Sequence, residues 1–207
     1  MSGALFGAHH FCLPMKYIIC AGTKEYKPRH LTKVNGENLI DRTIRLLKEN
    51  GITDVWVSTK NPAFKNYNRL DYDSSGDWLN CFAPLDEPAC YIFGDVYFSP
   101  EAIKKIVETE TDTVEFFASA KPYAPEYPKI WSEPFAFKVQ DQELFRKAIE
   151  KTKYYRLNGN FYRNPISWEL WQVIKGTPLG VIEQNYTVIN DYTCDIDCPE
   201  DAEQWNF

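Results

Sequence analysis

A chain of 207 residues that is 44% hydrophobic and 25% charged has the length of one domain and the balance of a globular protein, which excludes disordered, collagen-like and coiled-coil architectures. Its formal net charge of −6 has the wrong sign for gripping DNA or RNA through their phosphates, so a polyanionic partner must be small and met by a local cluster of cations. No apolar run approaches the roughly 18–20 residues that span a bilayer, and the expectation is a cytoplasmic protein with no membrane insertion.

The opening segment, residues 1–14, lacks the charged start and apolar stretch of a secretory signal and is expected to be an extension, non-native or otherwise, to a domain over 15–207. Lys16 to Ala21 is then a short apolar run ending in Gly22, as a buried parallel strand would be. A polar, basic loop follows from Thr23 to Lys33. Glu37 to Asn50 carries apolar residues at Leu39, Ile40, Ile44, Leu46 and Leu47 and is closed by Gly51, which predicts an amphipathic helix with a glycine cap. With the strand Val55 to Ser58 this makes a βαβ unit and hence a parallel sheet.

Residues 61–88 are polar and turn-rich, with no regular structure predicted. Ala89 to Phe93 is the next buried strand and stops at Gly94-Asp95; Ser99-Pro100-Glu101 opens a helix that runs to about Glu108. Strands are predicted over Val114–Ala118 and Pro134–Val139, with a Pro- and Tyr-rich loop, Lys121 to Lys129, between them. Helices are predicted over Gln142–Lys153 and Pro165–Lys175, and a late strand over Thr187–Ile189.

Of the six cysteines, Cys20, Cys90 and Cys194 lie in or beside apolar stretches rather than at framework spacings, so reduced thiols are expected. Cys194 and Cys198 have no histidine near them in sequence, which argues against structural zinc. His9, His10 and His30 show no spacing for a triad, which argues against nucleophilic hydrolysis.

In an open α/β sheet ligands collect beyond the carboxyl ends of the strands, and three places there carry chemistry. The loop after the first strand holds Lys24, Lys27, Arg29 and Lys33, the local cation cluster that a polyphosphate needs, or else a solvated basic surface. Asp95 follows a glycine that lets a ligand approach the backbone; it suits Mg²⁺ on phosphate oxygens, and equally a turn before the Ser99 helix. Asp195-Ile196-Asp197 places two carboxylates on one side of an extended segment, a pattern also common in exposed turns.

Together these stretches carry a resemblance. Tyr17-Ile18-Ile19-Cys20-Ala21-Gly22, Pro28-Arg29-His30-Leu31, Val34-Asn35-Gly36-Glu37-Asn38-Leu39-Ile40 and Asn50-Gly51-Ile52-Thr53-Asp54-Val55 resemble, in order and spacing, the amino-terminal signature of sugar-phosphate nucleotidyltransferases. Phe93-Gly94-Asp95 is similar to the family's Gly-Asp metal motif, and Asp195-Ile196-Asp197-Cys198-Pro199-Glu200-Asp201 to its Asp-x-Asp-Thr-Pro-Glu-Asp close. The chain departs from the family in its glycine-rich loop, where Thr23-Lys24-Glu25-Tyr26 follows Gly22 without a second glycine or an arginine, and in Arg29, which stands where the family has lysine.

The resemblance implies a Rossmann-like three-layer α/β fold of the GT-A type, with a mainly parallel mixed sheet. It implies transfer of a nucleoside monophosphate from a nucleoside triphosphate to a small phosphorylated sugar, alditol or similar acceptor, with Mg²⁺ as cofactor and pyrophosphate released. Asp95 and Asp197 would hold the metal, with Asp195 as an alternative or supporting ligand; Lys24, Lys27 and Arg29 would neutralise phosphates; Ala21, Gly22, Thr23 and Gly94 would lie against the nucleotide. Acceptor residues are sought in the middle of the chain, at Lys129, Glu133 and Arg163, with Trp131, Trp168, Glu169 and Trp171 nearby in sequence. The spacing of Trp168 and Trp171 favours core packing over a ligand platform. A homodimer is expected from the family. The alternatives are a glycosyltransferase of the same fold and a catalytically silent nucleotide-binding domain.

Overall fold

The structure is a computed structural model that describes residues 14–23, 28–72, 77–120, 133–161, 164–179 and 183–197, with Asp201 and Glu203. Its strands in chain order are β1 (Lys16–Cys20), β2 (Lys33–Val34), β3 (Glu37–Asn38), β4 (Val55–Ser58), β5 (Arg69–Leu70), β6 (Ala89–Phe93), β7 (Val96–Tyr97), β8 (Val114–Ser119), β9 (Pro134–Val139), β10 (Thr187–Ile189) and β11 (Cys194–Asp195). The helices are α1 (Leu39–Glu49), α2 (Pro100–Glu108), α3 (Gln142–Leu157) and α4 (Ser167–Lys175).

Unbroken apolar runs mark strands buried on both faces, and β1 and β6 sit at the middle of a seven-stranded sheet of order β10-β8-β9-β6-β1-β4-β5. β1 pairs in parallel with β4 and β6, β4 with β5, and β8 with β10; β9 alone runs the other way, between β6 and β8. The mainly parallel, mixed sheet expected for the fold is present.

Element ends differ from the sequence expectation for local reasons. The helix after the basic loop begins at Leu39 rather than Glu37, because Lys33–Val34 and Glu37–Asn38 pair as a tight hairpin through Asn35 and Gly36, both at positive φ (52° and 83°). Asn38 then caps α1, its Oδ1 accepting from the Asp41 amide at 2.8 Å. α3 runs on to Leu157, past the predicted Lys153, since no breaker precedes Gly159; Arg156 in its last turn donates to Asp77 Oδ2 at 2.7 Å. α4 starts at Ser167 instead of Pro165, because Ile166 is extended and serves as its cap. The unassigned stretch 61–88 contains β5 and two single turns of 3₁₀ helix, Pro62–Phe64 and Trp78–Asn80, capped by Asn61 and Asp77.

The core is aromatic. Phe82 meets Tyr91, Phe137 and Phe145 at centroid distances of 5.4, 5.5 and 5.1 Å, and Phe116 stacks on Phe137 at 4.6 Å. Trp168 and Trp171 pack on Phe116 and are buried, so they are core residues, as their spacing favours. The four described cysteines, Cys20, Cys81, Cys90 and Cys194, are free thiols.

One buried cation is structural. Lys138 on β9 reaches the end of α2, and its ammonium donates to the carbonyls of Ile106, Val107 and Thr109 at 3.1, 2.8 and 2.6 Å, supplying donors that a helix terminus lacks. Lys138→Met keeps the stem and strips those carbonyls of their donor. It is expected to cost about 2–3 kcal/mol, read as a lower urea midpoint with an unchanged slope.

Candidate active site

From β1 the chain passes through α1 to β4 on one side, then returns to β6 on the other side of β1. Strand order therefore reverses between β1 and β6, and a crevice opens beyond their carboxyl ends. A cavity of about 430 Å³ lies there, within the usual range for small-molecule sites. Cys20, Gly22, Arg29, Phe93, Asp95 and Asp195 are among the residues that line it.

Backbone contact at this point is very close. The Gly94 amide donates to the Cys20 carbonyl at 3.0 Å, and a Cβ on Gly94 would fall 2.7 Å from that same oxygen. Glycine is required by space, and it sets Asp95 directly beyond the switch point.

The carboxylates converge through two very short strands. β7, which follows Asp95, pairs antiparallel with β11, and the Ile196 amide donates to the Asp95 carbonyl at 2.8 Å. Asp95 and Asp195 thus reach the same cavity although they lie far apart in sequence. The pairing rests on its own small core of Val34, Leu39, Tyr97, Cys194 and Ile196. Arg42 of α1 closes it, with its guanidinium 4.1 Å from the Tyr97 ring centre and its Nε donating to the Phe98 carbonyl at 2.8 Å.

Arg29 spans two of the acidic residues, at 2.7 Å from Asp95 Oδ2 and 3.0 Å from Asp197 Oδ1. The Asp197 side chain is 59% exposed, and its backbone amide donates to Asp201 Oδ2 at 2.9 Å. Glu133, sought as an acceptor residue, is buried, and its Oε2 accepts from the Asp195 amide at 2.8 Å. Among the described residues it therefore supports the segment that carries Asp195.

The loop after β1 is pinned over the neighbouring strand. The Ala21 amide donates to the Ser58 carbonyl at 3.2 Å, and Asn61 Nδ2 donates to the Thr23 carbonyl at 3.1 Å. This holds Ala21, Gly22 and Thr23 beside the crevice. Lys24, Lys27, Lys129 and Arg163, together with Trp131, Cys12, Cys198 and the loop from Lys121 to Lys129, lie outside the described residues.

The stretch 61–88 supplies three further cavity residues that sequence reasoning passed over: Asp77, Trp78 and Cys81. The available signal was a capping aspartate followed by a tryptophan in an otherwise polar segment. Cys81 lies against Cys20, and burial pushes its thiol well above the usual range, with the neighbouring thiol adding to the shift. Both line the cavity, Cys81 as a neutral, weakly polar group.

Among the described residues no cluster of three or more metal-ligating side chains forms. Mg²⁺ asks for less: oxygen donors from one or two carboxylates, completed by substrate phosphates and water. Asp95 and Asp195, hard donors facing one cavity, fit that requirement; Asp197 shares Arg29 with Asp95 but is not among the described lining residues.

No family model matches the sequence, and no curated protein sequence matches it. Solved structures do. The 4-diphosphocytidyl-2C-methyl-D-erythritol synthase from Anaerococcus prevotii aligns over 93% of this chain and 94% of its own, with a TM-score of 0.56 at 16% identity. The inositol-1-phosphate CTP transferase from T. maritima aligns over 94% and 95%, with a TM-score of 0.51 at 14% identity. HddC from Yersinia pseudotuberculosis, complexed with GMP-PN, aligns over 92% and 97%, with a TM-score of 0.50 at 13% identity. The chain has the Rossmann-like, GT-A-type fold of the nucleotidyltransferases.

Proposed function

We propose that this protein transfers a nucleoside monophosphate from a nucleoside triphosphate to a small phosphorylated acceptor, in a Mg²⁺-dependent reaction that releases pyrophosphate. The observation that carries the reading is the meeting of Asp95, Asp195 and Arg29 at the β1–β6 switch point. Two carboxylates and a guanidinium at one crevice suit a reaction whose barrier is mostly repulsion between an anionic nucleophile and a polyphosphate.

Each residue then has a task. Asp95 and Asp195 would hold Mg²⁺, which when bound supplies positive charge against phosphate oxygens. Arg29 would turn its planar fork from Asp95 and Asp197 onto the phosphates, where two parallel donors match two oxygens. Ala21, Gly22 and Thr23, held by Ser58 and Asn61, would present backbone groups to the nucleotide. Lys24 and Lys27 are proposed as further phosphate cations on the loop between Thr23 and Pro28.

The test is a thermal-shift panel of CTP, ATP, GTP, UTP, dTTP and the corresponding nucleotide sugars, each with Mg²⁺ and with EDTA. CTP comes first, since one of the structures of like fold is named as a CTP transferase. Ligand at about a hundred times its Kd adds about 2.7 kcal/mol, which for a chain of this size is a rise of roughly 5–10 °C. A rise with one nucleotide that vanishes in EDTA is the expected result. A rise with nucleotide sugars alone would transfer the assignment to a glycosyltransferase, and no rise with any of these would leave a silent domain.

A further inference from the structure

Tyr91 and Phe93 stand two apart on β6 and point to the same face of the sheet, yet they line different cavities. Phe93 belongs to the crevice of the candidate active site. Tyr91 belongs to a second cavity, of about 570 Å³, walled by α3. The 3₁₀ turn Trp78–Asn80 divides the two, with Trp78 on the crevice side and Leu79 and Asn80 on the other.

The second cavity has an apolar body and one orphaned polar group. Phe82, Tyr91 and Phe145 pack ring against ring along it, with Leu79 and Ile149 beside them, and all five are buried. Gln142, in the first turn of α3, lines the same cavity and is only 6% exposed. Its side-chain nitrogen is buried and makes no hydrogen bond. That nitrogen lies beside the Tyr91 hydroxyl, near enough to favour the ionised phenol but outside hydrogen-bond geometry, while the hydroxyl itself donates to the Ala83 carbonyl at 2.6 Å. A buried donor without an acceptor is costly to keep, and one held at the wall of an apolar cavity is matched by an acceptor oxygen brought by a ligand.

The charges nearby say which oxygen. Arg146 stands one turn along α3, and its Nε donates back to the Gln142 carbonyl at 3.3 Å, which keeps the guanidinium on the same side of the helix. Among the described lining residues, Lys147 pairs with Glu143, and Lys153 lies 3.6 Å from Glu150, so each of these cations is answered by a carboxylate. Arg146 is the cation in excess: it meets Asp86 Oδ1 at 3.6 Å, from a side chain that is 98% exposed, and a pairing of that kind is weak. A neutral donor and a guanidinium one helical turn apart, at the margin of an aromatic floor, match the two oxygens of a carboxylate whose hydrocarbon lies over the rings.

We propose that this cavity binds a small hydrophobic monocarboxylate, aryl or alkyl, with its carboxylate on Gln142 and Arg146 and its hydrocarbon over Phe82 and Phe145. The site is separate from the crevice and does not rest on the nucleotidyltransferase reading.

The experiment titrates the full chain by calorimetry with 3-phenylpropionate and with hexanoate, beside 3-phenylpropionamide and acetate. At least one of the two acids is expected to bind at one site per chain with a Kd of about 0.1–1 mM. The neutral amide should bind at least about fivefold more weakly, and acetate, which has no hydrocarbon body, should give no measurable heat. Tighter binding of 3-phenylpropionate assigns an aryl ligand, and tighter binding of hexanoate an alkyl one. Gln142→Leu should weaken the acid about tenfold while the Tm stays at or above that of the parent, because an unmatched donor has been removed. Arg146→Gln, at an exposed position, should weaken it about three- to tenfold. Asp95→Asn, on the crevice side, should bind the acid as the parent does.

No binding of either acid, equal binding of the neutral amide, or unchanged affinity in Arg146→Gln overturns the proposal. So does weaker binding by Asp95→Asn, which would place the acid in the crevice. A fall in Tm of more than about 4 °C in Gln142→Leu would show that its amide is partnered within the fold and remove it as the donor to the ligand.

Discussion

Asp95→Asn is expected to lower pyrophosphate release by at least about 10²–10³-fold while leaving the melting temperature within about 2 °C of the parent protein. Stability is spared for identifiable reasons. The bond that joins this position to β11 runs from the Ile196 amide to the Asp95 carbonyl, which the substitution keeps. The ion pair with Arg29 is partly exposed, with side chains 41% and 20% accessible, and pairs of that kind contribute little. Arg29 also retains Asp197. On the proposed mechanism turnover falls because the amide would offer Mg²⁺ a neutral oxygen in place of a carboxylate.

A matched set assigns the other two carboxylates. Asp195→Asn should match Asp95→Asn, since both side chains face the cavity, whereas Asp197→Asn should fall by less than about tenfold. The Mg²⁺-dependent thermal shift with triphosphate should disappear in the first two variants and persist in the third. Wild-type turnover by Asp95→Asn would remove this carboxylate from the reaction altogether, and a larger loss at Asp197 than at Asp195 would move the metal toward the exposed side.

The parts of this site that could be read from sequence are those whose signal is local. Ala89 to Phe93 is an apolar run that breaks at Gly94-Asp95, and that break alone places a carboxylate at a strand end. The Asp195 and Asp197 pair is equally visible. What sequence does not show is the contact between them, because β7 and β11 are two residues each and exist only through their mutual pairing and the small core beneath. Glu133 carries no motif, and its position at the Asp195 amide depends on where β9 begins. Trp78 sits in a stretch without periodicity, so nothing local says that it turns toward Phe93. The hairpin of β2 and β3 is hidden by the helix pattern read from Glu37 onward, which takes in β3, although Asn35-Gly36 is its ordinary turn signal.

Gly94→Ala is the companion prediction, and it should damage both fold and function. The added methyl would lie 2.7 Å from the Cys20 carbonyl oxygen and 3.0 Å from both His30 Cδ2 and Ile19 Cγ2. Two of these neighbours belong to the central strand β1 and are buried, so relief requires β1 and β6 to part where the Gly94 amide meets the Cys20 carbonyl. Overpacking of this kind costs about 1–3 kcal/mol, or roughly 2–10 °C in Tm for a chain of this length. Asp95 moves with the displaced backbone while Asp195, anchored by Glu133, does not follow it fully, so turnover should fall about tenfold or more even where the protein remains folded. Trimming one neighbour, as in the double variant with His30→Ala, should restore only a fraction of the lost stability, because the nearest obstacle is a backbone oxygen that no side-chain change removes. Full rescue by that second change would instead locate the conflict in the His30 ring and show that the close approach of β1 to Gly94 is dispensable.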